Sequence, residues 1–318
     1  MTIEQACENF LVHCRVAKKL ATNTLAAYAI DLQEFRRFAG SSTPIAAVDR
    51  YRLRGYLAHL VDARALKATS VKRRIACLKV MFRWLELDEV IEVNPFHRLG
   101  AQIRLPRRLP RALSGEEAGK LRASVLARAG LQRPVRHTAA LLTESADFRA
   151  VATVVTVEIL LCTGMRVGEL ATVSLGDLAL VDGTITVNGK GSRQRQVFVG
   201  DDEVALIGAY LSLRAGRRPC DDRLLITESG VAASTDHLRR LVREAAEAAE
   251  LSRRVTPHML RHTAATQFLE NGLDIRFVQR LLGHQSITTT EGYTHVNNAS
   301  LKTAILRARA RESETAGG

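Results

Sequence analysis

The chain has 318 residues, which is long for one hydrophobic core, so two domains are expected. Hydrophobic residues make up 46% and charged residues 25%, a globular balance that excludes collagenous, mucin-like and wholly disordered classes. The formal net charge is +13, and residues 1–111 hold 20 basic against 10 acidic side chains, which points to a polyanionic partner, nucleic acid or an anionic membrane, with a solvated basic face as the bland alternative.

Residues 3–95 read as helical. A first helix is expected near 3–19. The next starts at Thr22 or Thr24, either a candidate N-cap, with Leu25, Tyr28, Leu32, Phe35 and Phe38 at spacings of three and four. A short helix follows near 48–62. A fourth, near 69–87, takes Thr69 or Ser70 as its cap and buries Ile75, Leu78, Phe82 and Leu85. Its other face carries Lys72, Arg73, Lys79 and Arg83. Together these form a four-helix domain, residues 1–98. Pro106 and Pro110 among basic residues disfavour a continuing helix, so 99–111 reads as a linker. Its Arg107 and Arg108 are suited to lie along a phosphate backbone.

The second domain is expected at 112–318. Ser114 and Glu117 fit a capping box. Residues 122–150 read as a helical or partly loose insertion, and a buried helix follows near 151–162. Leu178–Val181 and Thr184–Asn188 flank an Asp182-Gly183 turn, and Gln194–Val199 follows a turn that carries Lys190. Helices near 202–214, 234–250, 257–271 and 274–282 complete a mainly α fold with a small antiparallel β-sheet. The five cysteines show no CxxC pair and no zinc-ligand spacing, so they read as free thiols in a reducing compartment. No signal peptide and no apolar run of about 18 residues is seen, which predicts a cytoplasmic protein without a membrane anchor.

Three segments carry candidate chemistry. In Thr256-Pro257-His258-Met259-Leu260-Arg261-His262, Thr256 can cap a helix and Pro257 suits its first position. His258 and Arg261 then share a face near a positive helix end, a good place for a phosphate. In Leu281-Leu282-Gly283-His284-Gln285, Asp274 caps the preceding helix, Ile275, Val278 and Leu282 face inward, and Gly283 ends it. His284 follows, and Tyr293 lies nine residues on. In Thr163-Gly164-Met165-Arg166-Val167-Gly168-Glu169, Arg166 and Glu169 can pair on one turn. Each segment alone has an ordinary structural explanation. Together, arginines, histidines, a lysine and a tyrosine suit phosphodiester transfer, with guanidinium forks for the oxygens and a tyrosine as covalent nucleophile.

The segments TGMRVGEL, NGKGSRQRQV, TPHMLRHTAAT and LLGHQSITTTEGYTH resemble, in order and spacing, the boxes of tyrosine site-specific recombinases of the phage integrase and Xer group. The resemblance covers the whole second domain, and the helical first domain is similar to the family's SAM-like core-binding domain. It implies that Arg166 and Arg261 clamp the scissile phosphate, and that His258 joins acid–base transfer. It implies that Lys190 protonates the leaving 5′ oxygen, His284 donates to a non-bridging oxygen and Tyr293 forms a 3′-phosphotyrosyl link. Glu169 would hold part of the site in place. No metal and no nucleotide cofactor is implied. The implied partner is double-stranded DNA, gripped by a homo- or hetero-tetramer. Residues 122–150 depart from the compact members of the family by their length, and read as a contact for an accessory protein, a contact for a partner subunit, or nothing in particular. The first domain begins at once, without an arm-binding domain before it. This favours a simple core-site recombinase that acts on a mobile element such as a transposon, a plasmid or a chromosome dimer. The alternatives are a type IB topoisomerase and a non-catalytic or accessory DNA-binding protein of the same fold.

Overall fold

The computed structural model describes residues 1–97, 99, 112–143, 145–189 and 194–283. The chain divides into two compact units, Met1–Arg108 and Leu109–Gly318. Each encloses its own apolar core.

In the first unit, α1 (Ile3–Val16) opens on a capping box. Thr2 accepts from the Gln5 N–H while the Gln5 side chain accepts from Thr2 N. Helix α2 spans Thr22–Ala39 and α3 spans Arg50–Ala58, capped by Asp49. A single wider turn, His59–Ala63, ends α3, and α4 runs Ala68–Leu87. Neither Thr22 nor Thr24 caps α2, and neither Thr69 nor Ser70 caps α4. The last extended residues are Ala21 and Lys67, so these hydroxyl residues already lie in the first helical turn. The apolar stripes behave as the periodicity requires. Leu32, Phe35, Leu78 and Phe82 are fully buried with Phe10 and Tyr56, and Phe35 stands edge-on to both Tyr56 and Phe82. Fully burying such side chains stabilises by about 1.5–3 kcal/mol each. The most deeply buried charged residue of this unit, among those described, is Asp31. Asp31 of α2 is fully buried and receives Arg73 at 2.6 Å, with Arg74 at 3.7 Å, which ties α2 to α4.

The second unit is built around α7 (Phe148–Thr163), whose apolar residues are buried almost all round. Helix α5 (Gly115–Arg128) precedes it, held by the Ser114–Glu117 capping box. The short α6 (Val135–Ala139) occupies the middle of the 122–150 segment and packs on α9 (Asp201–Ala215). Gly164 stops α7 in the left-handed conformation at φ +64°, and one turn, α8 (Val167–Leu170), follows.

The sheet is three-stranded and antiparallel in the order β1 (Leu178–Ala179), β2 (Thr184–Asn188), β3 (Gln194–Phe198). Strand β1 is shorter than the sequence suggests, because Leu180–Asp182 winds into a tight 3₁₀ turn closed by Gly183 at φ +60°. In the β2–β3 register Val187 faces Arg195 and Ile185 faces Val197. Helix α10 (Thr235–Ala248), α11 (Pro257–Glu270) and α12 (Ile275–Leu282) complete the unit. Helix α12 turns Val278 and Leu282 inward as expected, but not Ile275. Val278, Leu281 and Leu282 are buried, while Ile275 is 56% exposed. With eight residues, α12 packs on α11 and β3, and its buried residues begin only at Val278.

Candidate active site

Three loop-and-helix junctions of the second unit converge on the C-terminal end of α12. Thr256 caps α11 by accepting from Met259 N, and Pro257 takes the first helical position. That start leaves His258 exposed and buries Arg261 one turn later. Asp274 caps α12 through Arg276 N, and Gly283 ends it at φ +63°. Arg166 is the residue just before α8, where its backbone N–H donates to Glu169 Oε2 at 2.8 Å and its guanidinium to Oε1 at 2.9 Å. The pair expected from the sequence therefore forms, as a capping arrangement around a buried carboxylate.

A third arginine joins them that the sequence reading did not single out. Arg195 of β3 donates through both terminal nitrogens to Glu169, at 3.1 and 2.7 Å. The same side chain donates from Nε to Leu281 O at 2.8 Å. Arg261 donates to Leu282 O at 2.6 Å and to Gly164 O at 2.7 Å. Arg166 reaches Gly283 O at 3.4 Å. Three guanidiniums thus hold three successive carbonyls where α12 ends, the negative end of its dipole.

Burial alone would raise the Glu169 carboxyl. The hydrogen bonds from Arg195, with the Arg166 backbone N–H, hold it below the ordinary carboxylate range instead. Arg261 is pushed the other way for a cation. Burial first, then the charge of Arg166, lowers it to about 10, with Glu169 opposing. It remains charged at neutral pH. Arginines outnumber the carboxylate at this point, so the site carries excess positive charge in a part-buried setting that favours an anion.

Lys190, His284 and Tyr293 lie outside the described residues, as do Arg107 and Arg108. The described structure therefore brings together Arg166, Glu169 and Arg261, and places His258 at the start of the helix that carries Arg261. On α4, Lys72, Lys79 and Arg83 are exposed along one stripe. The Lys79 ammonium lies 5.9 Å from the Phe96 ring centroid. Arg73 is spent differently, on Asp31 and on Ala27 O at 3.2 Å.

The chain resembles known proteins along both units. Residues 136–300 match the phage integrase family, and residues 7–89 match the phage integrase N-terminal SAM-like domain. A tyrosine recombinase of Agathobacter rectalis is 31% identical over 307 residues, covering 96% of each chain. The tyrosine recombinase XerC of Thermodesulfovibrio yellowstonii is 32% identical over 295 residues, covering 91% of each. Among solved structures, a lambda integrase tetramer bound to a Holliday junction superposes with a TM-score of 0.64 at 19% identity, over 92% of this chain and 80% of that one; at that identity the likeness is one of fold. With family models along both units and full-length relatives above 30% identity, the chain belongs to the phage integrase family and is a tyrosine recombinase.

Proposed function

We propose that this recombinase cuts and rejoins double-stranded DNA at a specific core site through a 3′-phosphotyrosyl intermediate on Tyr293. The observation that supports this reading best is the convergence of Arg166 and Arg261 on the end of α12, with more positive charge than Glu169 balances. In the proposed reaction both guanidiniums bind the non-bridging oxygens of the scissile phosphate, where charge spreads in the transition state. The Tyr293 hydroxyl attacks phosphorus in line, and the bond to the 5′ oxygen breaks. Lys190 gives its proton to that leaving oxygen. His258 takes part in acid–base transfer, including the proton lost by the tyrosine, and His284 donates to a non-bridging oxygen. Attack by the 5′ hydroxyl of a partner strand reverses these steps and frees Tyr293. The phosphotyrosine keeps the energy of the broken bond, so no nucleotide is consumed.

Exchange between two duplexes requires several nucleophiles at once, which fits a homo- or hetero-tetramer on DNA; the tetrameric lambda integrase complex supports that reading. Lys72, Lys79, Arg83, Arg107 and Arg108 are proposed to bind DNA backbone, with Arg73 a weaker candidate because Asp31 occupies it. Among the described residues no helix is long and apolar enough to cross a membrane, which fits work on DNA in the cytoplasm. The proposed setting is a mobile element such as a transposon, a plasmid or a chromosome dimer, with residues 122–150 open to an accessory protein.

The test is covalent trapping. Wild-type protein is incubated with a supercoiled or nicked candidate site, denatured with detergent, and assayed for protein attached to DNA, beside Tyr293→Phe. An adduct in the wild type alone is expected. An adduct that survives in Tyr293→Phe would mean a different nucleophile.

A further inference from the structure

We propose that Arg195 is a positioning residue of the phosphate site, fixing Arg166 through Glu169 and fixing the end of α12 through Leu281 O. This rests on the reading of Arg166 and Arg261 as phosphate ligands.

Arg195 stands in β3, yet its side chain is only 15% exposed. It joins elements remote in sequence: β3, the start of α8 and the last turn of α12. Its two terminal nitrogens take both oxygens of Glu169, and Nε takes the carbonyl of Leu281. Such a planar set of donors is available to arginine and not to lysine, whose ammonium acts as a point charge. The fit is close on the other side as well. A Cβ placed on Gly283 would lie 3.3 Å from a terminal nitrogen of Arg195 and 3.5 Å from its Cζ, so the guanidinium packs over a bare backbone. Arg166, by contrast, has a side chain 50% exposed. A half-exposed arginine does not hold one rotamer by itself, and the groups that orient it here are Glu169, at 2.9 Å, and the longer contact to Gly283 O, at 3.4 Å.

Glu169 can do this only while ionised and aimed. Among the described residues, the charged groups that face it are Arg166 at the start of α8, Arg195 from β3 and, through space, Arg261 from α11. Of these, Arg195 contributes most to keeping the carboxyl low against burial. Without Arg195, Glu169 binds a proton at higher pH, releases the Arg166 guanidinium, and α12 loses the tie at Leu281. The predicted defect is therefore in the rate of strand cleavage, with DNA affinity little changed.

The probe is the duplex that wild-type protein captures covalently from a random-sequence DNA library. On this duplex, Arg195→Met should bind within about threefold of wild type and cleave about 100-fold more slowly, the scale of a misplaced reacting group. The acid limb of its rate against pH should move upward. Arg195→Lys, which keeps the charge and loses the fork, should recover part of the rate and bring the acid limb back toward wild type. Thermal melting establishes that each variant is folded. If Arg195→Met does not fold, Arg195→Lys decides the matter: slower cleavage with a raised acid limb supports the proposal, and wild-type behaviour on both counts overturns it. Equal losses of binding and cleavage, or an unmoved acid limb in a folded variant, also overturn it. A wild-type protein that captures no DNA would sink the phosphotyrosyl reading and this inference together, whereas capture followed by these negatives sinks this inference alone.

Discussion

A Cβ at Gly164 would lie 2.7 Å from Leu282 Cδ2 and 3.3 Å from Ala264 Cβ, on a backbone already in the left-handed region at φ +64°. The same residue offers its carbonyl to Arg261. Gly164→Ala is therefore expected to cost about 1–3 kcal/mol, read as a lower melting temperature, and to slow covalent adduct formation as well. Glu169 gives a pH-dependent counterpart. Its carboxyl titrates below the ordinary value in the folded chain, so the ionised form favours folding. That contribution is complete above the unfolded carboxylate range and is lost as pH falls through the lowered folded value. Glu169→Gln should thus be less stable than wild type by about 1–3 kcal/mol at neutral pH, and the two melting curves should approach each other in acid. The Arg166–Glu169 contact was legible in the sequence because its partners are three residues apart. The Arg195–Glu169 contact was not, because 26 residues separate the pair. An arginine between two exposed glutamines also reads as an ordinary solvent-facing strand residue.

On α4 the charged face divides into two kinds of residue. Lys72 is exposed, whereas Arg73 neutralises a carboxylate that no solvent reaches. Removing Arg73 leaves Asp31 with Arg74 at 3.7 Å as its remaining ion-pair partner. Arg73→Ala should lower stability by about 1–3 kcal/mol, less than for a fully buried pair because Arg73 is partly exposed. Lys72→Ala should stay within about 0.5 kcal/mol. Chemical denaturation of both variants checks the contrast, and similar losses would count against it. Hydrophobic spacing located the long helices, since burial of a stripe determines which face turns inward. It could not place the caps of α2 and α4, where the hydroxyl residues occur one to three residues too late to cap. It also misjudged Ile275, because a two-turn helix offers too few positions to fix its phase. Where a cap and a proline agreed, as at Thr256 and Pro257, the element was found to within a residue.

At the scale of the molecule, the charge excess of the first third becomes a thermodynamic quantity. If Lys72, Lys79 and Arg83 each neutralise a phosphate, replacing all of them by glutamine should flatten the plot of log affinity against log salt by about 3 units of slope. Fluorescence anisotropy across a salt series measures this, and an unchanged slope would move the DNA contact to another face. Two units, a mainly helical fold and a small antiparallel sheet followed from length, periodicity and turn residues. The short β1 and the 3₁₀ turn after it did not, because a two-residue strand carries no alternation to read. Residues 299–318 carry Leu301, Ile305 and Leu306, lie outside the described residues, and are proposed to dock on a neighbouring subunit. Deleting them should impair assembly more than DNA binding, and gel-shift and sedimentation measurements separate the two effects.

The arginine grip on Leu281, Leu282 and Gly283 has a consequence for energy exchange along the chain. A guanidinium has more N–H groups than these bonds occupy, so an anion can be held without releasing the carbonyls. Anion affinity and the order of this turn are then linked quantities, and each must change the other by the same factor. Inorganic phosphate or vanadate bound between Arg166 and Arg261 would slow hydrogen exchange at the end of α12. A substitution that loosens that end, such as Gly283→Ala, would weaken anion binding by the amount of protection it removes. The last turn of α12 would, on this account, register whether the phosphate seat is filled before any bond is broken.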